Sequence, residues 1–188
     1  LAKSSWQFGN ALTVVPSARL GMRYRPDEAS PLRTDIRTDI SMKYGGLTMN
    51  ARYNILWHKG RAWLWYLEPG YTGGSRINIY ARFTLFCVND WDDRIYCYER
   101  DAPGSFNVPA YYGRGWAASA VAGIRMMRHS FYARISYVEY PWTLPAKPAS
   151  AEIRVQYKLD LRLRTAADRQ RRQESKREDV VRGAGSLG

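Results

Sequence analysis

The sequence predicts an all-β fold, an antiparallel up-and-down transmembrane β-barrel of about eight long strands, complete in itself or part of a larger barrel. Three observations carry that expectation: strict period-two alternation, strand length, and a regular order of short and long connections. The alternation is clearest in 151–164, where odd positions read Ala, Ile, Val, Tyr, Leu, Leu, Leu and even positions read Glu152, Arg154, Gln156, Lys158, Asp160, Arg162, Arg164. No helical period produces such a pattern. Segment 77–85 sets Ile77, Ile79, Ala81, Phe83 and Leu85 against Asn78, Tyr80, Arg82 and Thr84, with Arg76 extending the polar set. Segment 33–44 sets Thr34, Ile36, Thr38, Ile40, Met42 and Tyr44 against Arg33, Asp35, Arg37, Asp39, Ser41 and Lys43.

Weaker alternation at 11–25, 46–57, 61–71, 115–128 and 130–140 completes the eight, and 4–9 reads as the end of a ninth. Several of these runs exceed the roughly 5–6 residues usual in globular strands and match the roughly 9–11 that a tilted strand needs to cross a bilayer. The connections at 45–46, 70–75 and 128–130 are short and turn-like, and those at 25–32, 89–114 and 141–150 are long and polar. A tight turn at 58–60 falls where the order calls for a long loop. Short turns at one end and long loops at the other are the habit of membrane barrels.

Composition narrows the class. Apolar residues make up 45%, with seven Trp and fourteen Tyr, yet mean hydropathy is −0.49. No apolar run approaches the roughly 18 residues of a spanning helix, so the chain is either soluble or crosses a membrane as strands. The formal charge is +12. Arg19, Arg37, Arg52, Arg82, Arg125, Arg134 and Arg154 are scattered along the chain. Scatter of this kind points to a charged sheet face rather than a compact basic patch. One domain, 1–164, is expected, followed by a disordered polar tail, 165–188, with six basic and four acidic residues. The chain opens without an initiator Met or a signal segment, as a trimmed or partial chain would. Cys87 and Cys97 leave open a disulfide or two unpaired thiols.

Alternation alone does not say which face points inward. In a soluble barrel or sandwich the apolar face is the core; in a membrane barrel it meets lipid and the charged face lines the lumen. Tyr24, Trp57, Trp63, Trp116 and Tyr137 fall on the apolar face near the long-loop end, and Tyr44 and Tyr71 on it near the short-turn end. Two aromatic girdles are the membrane reading; a general liking of strands for aromatics is the plain one. On the membrane reading Arg76, Arg82, Arg154, Lys158, Asp160 and Arg162 face the lumen, paired with carboxylates such as Asp35, Asp39, Glu68 and Glu152, while Ile153, Val155, Leu159 and Leu161 face lipid.

The segment 83–115, FTLFCVNDWDDRIYCYERDAPGSFNVPAYYGRG, is the most distinctive. Through Trp91, Asp92, Arg94, Ile95, Tyr96, Tyr98 and Glu99, then Ser105, Phe106, Val108, Pro109, Ala110, Tyr111, Tyr112, Gly113 and Gly115, it resembles the C-terminal barrel region of Gram-negative helix-hairpin-helix domain-containing outer-membrane proteins. The resemblance is close over 90–115 and loose over 60–164. It implies an outer-membrane barrel downstream of a DNA-backbone-binding module. That module is absent from these residues, so nucleic acid is not expected as a partner of this segment. The bilayer is, with outer-membrane or periplasmic proteins beside it.

The connection 89–114 is too long for a hairpin turn and too aromatic for a floppy loop. Trp91, Arg94, Tyr96, Tyr98, Phe106, Tyr111 and Tyr112 are expected to form an ordered external cap over the barrel mouth, with Ile95 and Cys97 also in need of burial. Catalytic, cofactor-binding and metal residues are not expected. His58 and His129 lie in turns at opposite ends, and the sequence offers nothing to orient His58. Asp90, Asp92 and Asp93 are interrupted by Trp91 and followed by no calcium-ligand set. The function expected is a non-catalytic structural, docking or transport role in the outer membrane. The alternative is a soluble β-barrel or sandwich that binds a ligand or nucleic acid through a basic face.

Overall fold

A computed structural model describes residues 2–8, 12–26, 30–74 and 76–161. The expected tail, 165–188, and Arg162 lie outside the described residues. Residues 1–158 form one compact unit; a second, Leu159–Gly188, is described only over its first three residues.

The chain is all-β and antiparallel. Its strands are β1 (Ala2–Lys3), β2 (Trp6–Phe8), β3 (Leu12–Tyr24), β4 (Leu32–Tyr44), β5 (Leu47–Trp57), β6 (Arg61–Gly73), β7 (Ile77–Val88), β8 (Ile95–Tyr96), β9 (Ala110–Tyr111), β10 (Gly113–Met126), β11 (His129–Glu139) and β12 (Ser150–Leu159). The eight long strands, each 10 to 14 residues, occupy the eight segments the alternation marks. They pair up-and-down in the order β3-β4-β5-β6-β7-β10-β11-β12, with β1 and β2 both on the free side of β3. The expected ninth strand is thus a pair of short pieces. The sheet is open: among the described residues, β12 does not pair back to β3 and no barrel closes.

The hairpin connections follow turn chemistry. Gly45 and Gly74 take positive φ between β4 and β5 and between β6 and β7, where a side chain would strain the turn. Arg76 belongs to the second of these turns, accepting from the Arg125 backbone N–H at 2.7 Å, and so lies outside the strand pattern. The turns at 45–46, 74–76 and 127–128 share one end of the sheet. The connections at 25–31, 58–60, 89–112 and 140–149 share the other.

Burial along the strands is inverted relative to a soluble protein. On one face Ile36, Ile79, Ile135, Ile153 and Val155 are 43, 49, 55, 73 and 78% exposed. On the other, Glu68, Arg82, Thr84 and Arg134 are buried. The charged face is the covered one because the connection between β7 and β10 folds back across it. A short 3₁₀ turn (Trp91–Asp93), capped by Asp90 Oδ1 accepting from the Asp92 N–H at 2.8 Å, starts this segment. Its two limbs then pair at Ile95↔Tyr111, Tyr96↔Ala110 and Glu99↔Asn107, which makes 95–111 an inserted hairpin.

Under the hairpin sits the apolar core. Leu56, Ala62, Leu64, Tyr66, Phe86 and Ala117 come from the covered face of β5, β6, β7 and β10, and Ile95, Cys97 and Tyr111 from the hairpin. This explains why alternation is weak in 61–71. Trp63, Trp65 and Leu67 fill the outer face of β6, while Ala62, Leu64 and Tyr66 fill the inner one, so both faces are apolar over that stretch.

Candidate functional site

The charged face has two parts. The first spans β6, β7, β10, β11 and β12 and is filled by the hairpin. Glu68 on β6 receives Arg82 Nε at 2.8 Å, Arg100 Nε at 2.7 Å and the Asn50 amide at 3.3 Å. Arg82 also donates to the Tyr98 carbonyl at 2.7 Å and stacks its guanidinium over the Tyr66 ring at 4.1 Å. Glu99, carried inward by the hairpin, receives Arg134 Nη2 at 2.6 Å, the Asn107 amide at 3.2 Å and the Tyr111 hydroxyl. Asp101 near the hairpin tip receives Arg154 Nη1 at 2.6 Å, and Glu152 bridges Arg134 and Arg154. The hairpin is bonded to the sheet by charge along its length.

Alternation explains which hairpin residues meet the sheet. Ile95, Cys97 and Glu99 point toward it and are buried; Tyr96 and Tyr98 point away and are more than half exposed. Burial holds the Cys97 thiol above its ordinary range although Arg52 and Arg82 oppose the shift, which keeps it protonated and unreactive. Burial, then the Glu99 carboxylate, pushes the Tyr111 phenol up as well. Cys87 and Cys97 are both free; Cys87 lies on the outer face of β7.

The expected cap residues are only partly a cap. Tyr111 is buried against Phe86, with ring centroids 5.0 Å apart, and Tyr112 packs edge-on to Trp91 at 4.6 Å. Trp91, Tyr96, Tyr98 and Phe106 are exposed, contrary to the expectation of burial for the three of them that lie in the hairpin. Arg94 folds back on its own segment, donating to the Tyr96 hydroxyl at 2.7 Å and the Trp91 carbonyl at 3.0 Å. Among the residues expected to line a lumen, Arg82 and Arg154 lie on the charged face in ion pairs. Lys158 is on the same face of β12 and exposed; Asp160 follows the strand end.

His58 is oriented after all. Its Nδ1 lies 2.9 Å from Asp93 Oδ1 and its Nε2 3.0 Å from the Ser30 carbonyl, with both side chains buried. Asp93 also accepts from the Lys59 and Gly60 backbone N–H groups, and Lys59 Nζ pairs with Asp92. The acidic run is therefore a clamp that fastens the start of the hairpin segment to the β5–β6 turn. Both ring nitrogens face acceptors, so the ring is held as part of this clamp. No local sequence signal marks this pair, because their meeting depends on the β7–β10 connection folding back.

The second part of the charged face spans β3, β4 and β5. Here Asp39 accepts from Arg37 Nε at 2.7 Å and Arg52 Nε at 2.6 Å. Arg33 donates to the carbonyls of Asp92 and Arg94 at 2.7 and 3.3 Å. Between these strands and residues 92–96 lies a cavity of about 770 Å³ whose lining is dominated by arginine. The scatter of arginines in sequence thus hides a spatial cluster, because neighbouring strands bring Arg19, Arg37 and Arg52 onto one face of adjacent strands.

No family model matches the chain, and neither a curated protein nor a solved structure shows significant similarity to it.

Proposed function

We propose that this chain is the membrane-spanning part of a Gram-negative outer-membrane β-barrel, with the hairpin 95–111 standing in the lumen and a non-catalytic structural, docking or transport role. The carrying observation is the inverted burial: charged side chains are covered and paired on one face, while isoleucines, valines and aromatics stand uncovered on the other. In water such a continuous apolar face is unfavourable, whereas in a bilayer it is the stable arrangement. Aromatic placement supports the same reading. Near the long-loop end Phe83, Trp116 and Tyr137 form a chain of ring contacts at 6.0 and 5.3 Å. At the other end Tyr44, Leu47, Tyr71 and Ile79 occupy one cross-strand row. These are the positions interfacial girdles take. The resemblance of 90–115 to the barrel region of helix-hairpin-helix outer-membrane proteins points the same way.

On this reading the hairpin is a plug. A lumen lined by buried ion pairs and an apolar cluster along β6–β11 passes nothing through that half. The test is expression with a signal peptide, followed by membrane fractionation and electrophoresis with and without boiling. The expected result is recovery in the outer membrane, extraction only by detergent, and heat-modifiable migration. A chain that is monomeric and soluble without detergent contradicts it, and favours the soluble alternative.

A further inference from the structure

The β3–β5 part of the charged face carries arginines that its described carboxylates do not pair. Of the cationic side chains that line the cavity, Lys59 pairs with Asp92, and Arg37 and Arg52 share Asp39. Register makes the excess sharper. Arg19 stands directly opposite Arg37, and Arg23 directly opposite Arg33, across the β3–β4 ladder. Like charges in directly opposed positions destabilise a sheet. Among the described residues, no carboxylate comes within ion-pair distance of Arg19, Arg23, Arg33 or Arg94. Between the two arginine pairs, Asp35 opposes Gly21, and its Oδ1 would lie 2.3 Å from any Cβ added there, so glycine leaves room for the lone carboxylate to lie across β3. The lining arginines are set on paired strands or, like Arg94, tied down by hydrogen bonds. The strands fix where these side chains start, and guanidiniums that converge on one cleft match the bidentate geometry of phosphate oxygens.

We propose that this cleft binds a small multivalent phosphate-bearing anion, either soluble or the phosphorylated headgroup of a lipid. The cavity is within the range of small-ligand sites and larger than a single phosphate ion needs. Bound anion offsets the two like-charge pairs, so binding stabilises the fold. The inference concerns the charged face and holds whether lipid or water covers the other.

The probe is sodium tripolyphosphate, titrated by calorimetry into the full chain in zwitterionic detergent, or in buffer if the chain proves soluble. Saturable binding that weakens with added salt and raises the thermal midpoint is expected. The double variant Arg19→Ser/Arg23→Ser is expected to bind at least about tenfold more weakly, since each charge-assisted bond to the anion is lost. Its unliganded midpoint is expected to equal or exceed that of the parent, because it relieves repulsion. Arg23→Ser alone serves if the double variant does not fold. Arg128→Ser, which removes one charge as Arg23→Ser does but at an exposed turn, is expected to bind as the parent does. No saturable binding, equal affinity in parent and double variant, or equal weakening in Arg128→Ser overturns the proposal. So does a single-stranded oligonucleotide that displaces tripolyphosphate at lower concentration. Nanodiscs of phosphatidylcholine with and without phosphatidic acid separate the sources. Competition by the acidic lipid that the Arg19→Ser/Arg23→Ser variant abolishes supports a headgroup ligand, and its absence supports a soluble one.

Discussion

Along β6, β7, β10 and β11 the buried arginines, Arg82 and Arg134, each meet a carboxylate, while across β3 and β4 three guanidiniums, those of Arg19, Arg23 and Arg33, meet none among the described residues. The two regions share a face, a strand length and a residue type. What separates them is the hairpin 95–111, which brings Glu99 and Asp101 onto the first and leaves the second open to a cavity. Charge inside the filled region is structural, since a desolvated arginine is tolerable only when paired. In the open region Arg19 and Arg23 are exposed to solvent and have no carboxylate within ion-pair distance among the described residues.

This contrast orders the expected effects of mutation. The largest falls on Glu99→Ala, which removes the close carboxylate partner of the buried Arg134 and Tyr111 and leaves Arg134 only the longer 3.3 Å contact to the half-exposed Glu152. It should cost about 3–5 kcal/mol in urea unfolding of the detergent-refolded chain. A loss below about 1 kcal/mol would mean that the hairpin does not seal that region. Next is Ile40→Arg on the apolar face, expected to cost about 2–4 kcal/mol when the chain is folded into bilayers and the residue lies near the midplane. Ser41→Arg, one residue on and facing the charged side, should cost far less. Equal costs would remove the distinction between the faces.

A pH effect follows from Tyr111. Its phenol is held protonated in the fold, so its folded pKa is raised above the unfolded value of about 10. The associated stability is complete below pH 10 and is lost as pH rises further. Tyr111→Phe should therefore flatten the alkaline limb of the stability profile, measured by urea midpoint between pH 8 and about 11.5. An unchanged alkaline limb would show that Tyr111 is not sealed from solvent. The smallest effect belongs to the open region, where Arg37→Ser should change stability by less than about 1 kcal/mol, because Arg37 is more than one-third exposed and Asp39 keeps Arg52.

The fold was legible where one face of a strand is charged and the other apolar. Segment 33–44 became β4 and 77–85 became most of β7, because charge and exposure divide there by strand parity. It was less legible in β6, where the inserted hairpin lets both faces be apolar. Sheet closure was not legible at all, since alternation fixes which face a residue takes and says nothing of where an edge strand pairs. The site was half legible. Arg82 and Arg154 were read as charged-face residues paired with acids, and they are. Arg82 meets Glu68 on the neighbouring strand, but Asp101, which holds Arg154, and Glu99, which holds Arg134, come from a connection whose path no local pattern specifies. The arginine cluster was misjudged for a related reason: dispersal along a chain of hairpins becomes adjacency once the strands pair. His58 and Asp93 meet by the same folding-back.

The membrane reading depends on water meeting the charged face and lipid the apolar one, and neighbouring residues in β4 test it most directly. Ile36 is 43% exposed on the apolar face, and Arg37 adjoins the cavity on the other. With Cys87 and Cys97 replaced by serine, Ile36→Cys and Arg37→Cys are each introduced and the chain is folded into phospholipid vesicles. A membrane-impermeant maleimide applied from both sides should label position 37 within minutes and leave position 36 unlabelled until detergent or urea is added. Rapid labelling at 36 in intact vesicles, or protection at 37 with labelling at 36, would contradict the assignment of the two faces.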